Sequence, residues 1–331
     1  MTRLSGSSSL STAFSRARLA FSLIELLVSI SIISLLTSLI LPAIQYSREA
    51  GRRTQCRNNL RQIGIAVASY EADHRQFPSS LNHKCALLPY LDQVSLYRKF
   101  DANATTEDEA YRKLKLAVLP FFVCPTEYAP SVFDEGGSAI AAATNYAANI
   151  GTGLMVSGYD GFLTPFPWNL YPDTFPAKRV GSSDIRDGLS NTVAMSEICH
   201  ADGTPHRLRT IWATPSSYSG ATGWMQLKQV CDSIPQMPTN FGWTGWYARR
   251  GMPWFSGDSG CGTYNHALTP NRPSCFNGGN PQLGVHTANS FHPGVIHCLF
   301  GDGSVKAIGD NVSSVAWHQM GSRQDGLAAL P

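Results

Sequence analysis

The chain has 331 residues, a length that allows two domains, or one domain with an anchor and an insertion. Only 15% of the residues are charged, whereas 29 Gly and 20 Pro indicate a turn-rich body rather than a helical bundle. With 43% hydrophobic residues and a net charge of +3, the composition excludes a disordered chain and disfavours nucleic acid as a partner, which needs a concentrated basic face.

The first predicted element is an apolar helix at residues 21–44. Glu25 is its only ionisable side chain and Pro42 its only proline. The 21 residues from Phe21 to Leu41 would span about 31 Å as a helix, close to the hydrocarbon thickness of a bilayer. The sequence therefore predicts one transmembrane helix.

A basic leader precedes this helix. Residues 1–20 contain three arginines and no acidic residue, and they end in Ala20 before the run F-S-L-I-E-L-L. This order resembles the amino terminus of type IV prepilins and type II secretion pseudopilins. The resemblance implies that a prepilin peptidase cuts between Ala20 and Phe21 and methylates Phe21. It also implies that Glu25 acts in assembly with other pilin-like subunits and that Pro42 shapes the helix.

The acid in this apolar run has a chemical rationale of its own. A carboxylate inside a membrane helix costs about 2.5 to 3.5 kcal/mol on insertion scales, so Glu25 needs a partner. Cleavage would create an α-amine at Phe21, and the resemblance implies that the acid of one subunit meets that amine on a neighbour. Two alternatives stay open: Glu25 reaches the membrane interface instead, and Pro42 simply ends the helix.

The helix is predicted to continue in amphipathic form over residues 45–75. Apolar side chains recur on one stripe at spacings of four and three residues: Cys56, Leu60, Ile63, Val67 and Tyr70. The pair Phe77-Pro78 ends the pattern, because the residue before a proline is disfavoured in a helix. We therefore expect one helix over about 21–73, whose first half is embedded and whose second half packs on a globular body.

The orientation rests on two opposing signals. Five arginines between residues 48 and 61 follow the apolar run and outnumber those of the leader, so the positive-inside rule alone favours the reverse placement. Eight cysteines without a CxxC pair, however, fit an oxidising compartment. We expect a single-pass protein of the inner (cytoplasmic) membrane with a cytoplasmic amino terminus and an extracytoplasmic body.

The body, residues 76–331, is predicted to be α+β and pilin-like, with the helix packed on an antiparallel β-sheet and a loop-rich insertion at about 200–285. Residues 87–101 read as a short helix and 118–125 as a buried strand ended by proline. A hairpin is predicted near the carboxyl end, with strands at 295–300 and 305–308 around a G-D-G-S turn.

Several phrases of the chain carry a second resemblance: RRTQCRNNLRQIGIAVASYEADHRQFP, TNYAANIGTG, RVGSSDIRDGLSNTVAMSEI and FHPGVIHCLFGDGSVKAIG. They resemble a bacterial family of prepilin-type proteins whose body is a domain of unknown function ending in a signature of His, nine residues and Asp-Gly. His292, Asp302 and Gly303 fit that spacing. The similarity covers most of the chain except 200–285, and no activity is implied.

The signature is interpreted structurally. Asp302 falls in the hairpin turn, and Asp187-Gly188 is predicted to form a similar turn before a strand at 191–198. Because His292 and Asp302 lie toward opposite ends of one strand, a catalytic pair is not expected. The alternative for both Asp-Gly pairs is a calcium or partner contact, since turn oxygens are hard ligands.

Two disulfides are hypothesised among the 105 possible full pairings, Cys56–Cys124 and Cys261–Cys275. Five of the seven tryptophans lie in the insertion, at positions 212, 224, 243, 246 and 254. These aromatic residues could form a platform for a sugar or protein partner, or fill the core of an irregular subdomain.

Catalytic signals are weak. The run G-D-S-G at 257–260 matches the short motif around the nucleophile of trypsin-like proteases. Upstream, however, the chain offers only His200 as a general base. A glycine-rich turn is the expected structure of this run. The nine histidines show no paired-ligand spacing.

We expect no enzyme, metal or cofactor. The favoured function is a pseudopilin-like structural or export component; the alternatives are a surface-displayed binding module and, last, an extracytoplasmic hydrolase.

Overall fold

The computed structural model describes residues 22–78, 83–99, 109–135, 138–153, 160–163, 180–235, 249–278 and 280–324. The chain divides into two units, residues 1–48 and 49–331. The leader and Phe21 lie outside the described residues, as do Trp243 and Trp246.

The first helix, α1, covers Leu23–His74 and contains Pro42 without interruption. Its length confirms the prediction of one long helix. In the first unit its side chains are exposed, and its most apolar 18-residue window has a mean hydropathy of 2.3 with no residue buried. By length and composition this is the one helix among the described residues that could cross a membrane.

The part of α1 in the second unit packs on the body. The stripe predicted from the sequence is buried at Cys56, Leu60, Ile63 and Val67, and Tyr70 packs against the same core cluster. These residues meet Tyr146, Met195 and Leu299 of the sheet in one hydrophobic core. The 3.6-residue period thus places the apolar side chains of α1 toward the sheet.

Short helices follow α1. They are α2 (His83–Leu87), a 3-10 turn (Leu88–Leu91), α3 (Val94–Tyr97) and α4 (Glu109–Lys115). The single helix expected over 87–101 is therefore broken. Asp92 adopts a left-handed conformation with φ of 58°, which ends the 3-10 turn before α3 begins.

The strand expected over 118–125 is wrong. Pro120–Phe122 forms a 3-10 turn. The amide of Asn59 on α1 donates to the carbonyls of Pro120 and Val123, so these carbonyls bind a helix side chain instead of a neighbouring strand. Proline has no N–H for a strand ladder and is well suited to the first position of a helical turn.

The described strands form three sheets. The strands are β1 (Val132–Glu135), β2 (Ser138–Ala142), β3 (Tyr146–Asn149), β4 (Val193–Glu197), β5 (Ile211–Ala213), β6 (Thr263–Tyr264), β7 (Ser274–Asn277), β8 (Asn280–Val285), β9 (Val295–Phe300) and β10 (Val305–Gly309). The largest sheet has the order β10-β9-β4-β3-β6 and is antiparallel except for the β3–β6 pair. The others are the β1–β2 pair and a sheet of order β5-β7-β8.

The hairpin predicted from the sequence is confirmed. Strands β9 and β10 pair antiparallel, with Val305 opposite Leu299. Gly303 in the turn has φ of +83°, a conformation that glycine adopts without a Cβ penalty. Beside this turn, Gly64 of α1 lies so close to β9 that a Cβ there would be 2.7 Å from Leu299 Cδ1.

The insertion at about 200–285 is more regular than expected. It contains α5 (Gly220–Asp232), which contacts β7 and β8, and a separate core with the fully buried Trp212. After β10, helix α6 (Ser314–Gly321) begins at Ser313, whose hydroxyl accepts from Ala316 N and caps the helix.

The structure forms two disulfides among the described residues. Cys56–Cys124 is bonded as expected, and it joins α1 to the segment before β1. The Cys261–Cys275 hypothesis is wrong, because Cys275 bonds to Cys231. Cys275 lies on β7 where α5 presents Cys231, whereas Cys261 precedes β6 in the larger sheet. The buried free thiols are Cys85, Cys199, Cys261 and Cys298.

Candidate functional site

Glu25 lies in the first turn of α1, within the unburied apolar segment. Its Oε2 accepts a hydrogen bond from the backbone nitrogen of Ser22 at 2.9 Å. Among the described residues, no cation pairs with this carboxylate. The assembly role expected for Glu25 from the sequence stays a prediction.

The other predicted positions of the amino end are less informative. Pro42 lies inside α1, which continues past it, so the alternative that it ends the helix is wrong. Ala20 and Phe21, the expected processing site, lie outside the described residues.

The two Asp-Gly pairs form turns, as the structural interpretation predicts. Asp302 Oδ1 accepts from Ser304 N at 2.9 Å and thereby closes the β9–β10 turn. Gly188 has φ of +93°, and its carbonyl accepts from Asn191 N at 3.0 Å before β4 begins. Both turns also bind residues outside themselves, since Asp302 N donates to Leu189 O at 3.2 Å and Asp187 N donates to Arg323 O at 3.2 Å.

His292, the remaining residue of the signature, has a different environment. Its side chain is buried before β9, and Nδ1 lies 2.7 Å from Glu49 Oε1 on α1 and 3.2 Å from Thr126 Oγ1. On the opposite edge of the ring, Nε2 lies 3.6 Å from Cys124 Sγ and 3.6 Å from Glu197 Oε1. The imidazole thus joins two carboxylates and a disulfide.

Glu197 lies at the end of β4 and is almost completely buried. Its carboxylate accepts from the backbone nitrogen of His297 at 2.9 Å and pairs with the His297 ring at 3.0 Å. Both groups belong to strands that are neighbours in the larger sheet, β4 and β9. Below, the "His292 cluster" denotes these side chains: Glu49, Cys56, Cys124, Glu197, His292 and His297.

The cluster is electrostatically coupled. Burial alone would raise the pKa of Glu197, but hydrogen bonds and charges from His292 and His297 lower that pKa to about 2. Burial alone would lower the pKa of His292, but Glu197 and Glu49 outweigh it and raise the pKa above its ordinary value. The pKa of Glu49 is lowered, because bonds from His292 and two neighbouring arginines exceed the effect of burial. The three groups therefore favour an imidazolium between two carboxylates.

Four potential metal ligands converge in this cluster. One atom each from Cys56, Cys124, Glu197 and His292 lies within 4.8 Å of the others, and all four residues are buried. The sequence analysis missed this grouping, since the four residues come from four separate segments and show no short ligand spacing. The resembling phrases hold Cys56, Glu197 and His292 but give no sign that the fold brings them together.

The described tryptophans of the insertion favour the core interpretation over a binding platform. Trp212 and Trp254 are completely buried, and Trp224 packs against the core around α5. The run 257–260 forms the expected turn, in which Cys261 N and Gly262 N donate to Asp258 O and Gly260 has φ of +77°.

Two families of sequences match the chain. Residues 15–41 match the prokaryotic N-terminal methylation motif, and residues 45–314 match a family described as a protein of unknown function (DUF1559). No curated protein and no solved structure matches the chain.

Proposed function

This chain belongs to the DUF1559 family of proteins of unknown function, and on that premise we propose that it is a pseudopilin-like structural component of a secretion or pilus apparatus. The methylation motif supports a membrane-anchored protein of the pilin type. A pilin-type subunit contributes an apolar helix to an assembly and presents its body outside the membrane. The part that we propose is the role of this membrane-anchored protein in a secretion or pilus apparatus.

One observation carries this proposal: the apolar part of α1 has no buried residue in its 18-residue window, although its mean hydropathy is 2.3. A soluble body would bury such a face against its own core. A bilayer, or the same helices of sister subunits, would cover it instead. The match of residues 15–41 to the methylation motif supports burial of this helix in a bilayer or among the helices of sister subunits.

Glu25 supplies the specificity of the proposed assembly. Its carboxylate lies in the first turn of α1, and in the sequence Glu25 follows the proposed new chain end at Phe21 by four residues. In a helix packed among sister helices, the α-amine of a neighbouring subunit would neutralise that acid. A pair of opposite charges in a low-dielectric environment then fixes the axial register of adjacent subunits.

The proposed processing is tested by mass spectrometry of the mature protein isolated from membranes. We expect a chain that begins at Phe21 and carries one added methyl group on its α-amine. A mature protein that begins at Met1, or beyond the apolar segment, would contradict the proposal. An Ala20→Asp variant should accumulate in the uncut form, which ties the cut to this bond.

The assembly role is tested with Glu25→Val. This variant should enter the membrane as the natural protein does, yet fail to cross-link with sister or partner pilin-like subunits. Ser38→Val is the matched control, because it also replaces a polar side chain of the same apolar segment and should assemble normally. Undiminished cross-linking of Glu25→Val would refute the register role.

The proposed location is the inner (cytoplasmic) membrane, with the amino terminus in the cytoplasm and the body outside. The two disulfides, Cys56–Cys124 and Cys231–Cys275, support an oxidising compartment for the body. Protease added to spheroplasts should therefore degrade the body while the cytoplasmic markers stay intact. A body that is protected until the membrane is broken would reverse the proposed topology.

A further inference from the structure

We propose that the His292 cluster is a redox-gated site for one thiophilic divalent cation, of which Zn²⁺ is the type. The ligands are the Sγ atoms of Cys56 and Cys124, a carboxylate oxygen of Glu197 and Nε2 of His292. The site is closed while the two sulfurs are bonded to each other, and it opens when that bond is reduced. This inference concerns the body and is independent of the proposed anchor.

The donor set fits zinc. Zinc takes four ligands drawn from thiolate, imidazole and carboxylate, with bonds of about 2.0 to 2.3 Å, so ligand atoms around a tetrahedral ion are about 3.3 to 3.8 Å apart. Nε2 of His292 already lies 3.6 Å from Cys124 Sγ and 3.6 Å from Glu197 Oε1. On reduction, the two sulfurs must separate, and the other ligand pairs, which lie within 4.8 Å of one another, must settle at that spacing.

The surroundings hold two of these ligands in the orientation that a metal requires. Metal-binding histidines commonly donate the other ring N–H to a carboxylate, which fixes the tautomer and the ring. His292 Nδ1 donates to Glu49 Oε1 at 2.7 Å, which directs Nε2 toward Cys124 and Glu197. Glu197 is itself held by the His297 backbone and ring, as ligating carboxylates are.

A small cavity of about 10 Å³ lies on one side of the cluster. It is lined by two of the proposed ligands, Cys124 and Glu197, and its volume is about that of one water molecule. Because all four ligands are buried, a bound ion would be shielded from bulk water.

The gating step balances as a thiol–disulfide exchange. A dithiol reductant attacks the Cys56–Cys124 bond, becomes a disulfide itself and passes two electrons and two protons to the cysteine sulfurs, which become thiols. The cation then displaces both thiol protons, and displaces the proton on Nε2 of His292 when the ring is charged. In the oxidised chain only Glu197 and His292 of the four can bind, which is too few for tight zinc binding.

The test compares zinc binding by oxidised and reduced full-length protein in detergent. The protein is treated with dithiothreitol, freed of it under anaerobic conditions, given Zn²⁺ and desalted, and its metal content is measured by mass spectrometry. We expect about one equivalent of zinc on the reduced chain and a loss of at least tenfold in the oxidised chain. Equal zinc content in the two forms, or none in the reduced form, overturns the proposal.

Variants locate the ion. Cys124→Ser and His292→Gln should each lower zinc retention of the reduced chain at least tenfold. Cys275→Ala is the matched control, because it removes a cysteine of the other disulfide, and it should retain zinc. Retention by both Cys124→Ser and His292→Gln, or loss from a folded Cys275→Ala chain, places the ion elsewhere and overturns the proposal.

A second readout separates the site from a purely structural role of these residues. Co²⁺ in place of zinc should give the reduced natural chain a thiolate charge-transfer band and the intense visible bands of a tetrahedral site. His292→Gln should weaken these visible bands. Zinc should also raise the melting temperature of the reduced chain and leave that of the oxidised chain unchanged. Octahedral-type spectra, or equal thermal shifts in both forms, contradict the proposed ligands.

Discussion

Buried histidines of the body differ in whether their ring nitrogens are paired. Neither nitrogen of His286 has a hydrogen-bond partner among the described residues, and burial together with the nearby Arg250 lowers its pKa to about 3. By contrast, His266 lies 2.7 Å from the carbonyl of Trp317 and 2.9 Å from the hydroxyl of Tyr264. An unpaired buried polar atom costs about 1 to 3 kcal/mol.

We therefore expect His286→Leu to stabilise the body by about 1 to 3 kcal/mol at pH 7, measured by chemical unfolding. His266→Leu is the control and should destabilise it by a similar amount, because it leaves two buried partners unpaired. A loss of stability in His286→Leu would contradict the unpaired environment.

The same residue predicts an acid-dependent loss of stability. The ordinary histidine pKa is 6.5 and that of folded His286 is about 3, so between these values the unfolded chain binds a proton that the native chain does not. The titration of this ring therefore leaves the unfolding free energy unchanged above pH 6.5 and lowers it as the pH drops toward 3. We expect the unfolding free energy of His286→Leu to decline less over that window than that of the natural chain.

Single residues were the hardest part to predict from the sequence. Glu25 stands out because an acid in an apolar run is expensive and local sequence reveals it. The environment of His292 was not predictable in this way, since its partners Glu49 and Glu197 come from α1 and β4. Only the packing of α1 on the sheet brings those two carboxylates to one ring.

At the level of elements, the contact of α1 with the β9–β10 hairpin depends on one glycine. A Cβ at Gly64 would lie 2.7 Å from Leu299 Cδ1 and 3.5 Å from the Cα of Gly303. Both Gly64 and Leu299 are buried, so neither side of the contact can move into solvent. The glycine therefore sets how closely the helix approaches the hairpin.

Gly64→Val should destabilise the body by about 1 to 3 kcal/mol through overpacking. Gly51→Ala is the matched control in the same helix, because Gly51 is exposed and a Cβ there meets nothing within 4 Å. That change should stabilise the helix by up to about 1 kcal/mol. Thermal unfolding followed by circular dichroism checks both changes, and a neutral Gly64→Val would show that α1 can shift away from β9.

Elements with a strong local signal were predicted well. The stripe on α1 and the hairpin follow from periodicity and turn chemistry, which act over neighbouring residues. The run 118–125 misled the prediction, because its apolar residues suit a buried strand as well as a buried turn. The deciding contact comes from Asn59 of α1, which binds the carbonyls of Pro120 and Val123. No pattern within the run contains that information.

For the whole molecule, the division at residue 48 predicts an independently folding body. Every named strand and both disulfides lie in residues 49–331. A chain that begins at Glu49, produced in an oxidising compartment, should remain soluble without detergent and unfold in one cooperative transition. Aggregation without detergent, or a transition without cooperativity, would show that the body needs the first unit to fold.

The Cys56–Cys124 bond should contribute strongly to that transition. It closes a loop with a sequence separation of 68, for which the chain-entropy treatment gives about 4 kcal/mol. We expect the paired Cys56→Ala and Cys124→Ala changes to lower the unfolding free energy by about that amount, measured in chelator. Replacing Cys231 and Cys275, separated by 44 residues, should cost slightly less. A negligible effect of the first pair would mean that packing alone fixes α1 on the sheet.

The position of that bond also has a mechanical consequence. A pull exerted along α1 from its amino end meets the contact of Glu49 with His292 first and then Cys56, where the covalent link passes tension directly to Cys124. The residues between the two cysteines are thereby bypassed. While the disulfide is intact, we expect α1 to stay packed on its sheet when force is applied to its amino end. Reduction of the disulfide should lower the force at which α1 detaches.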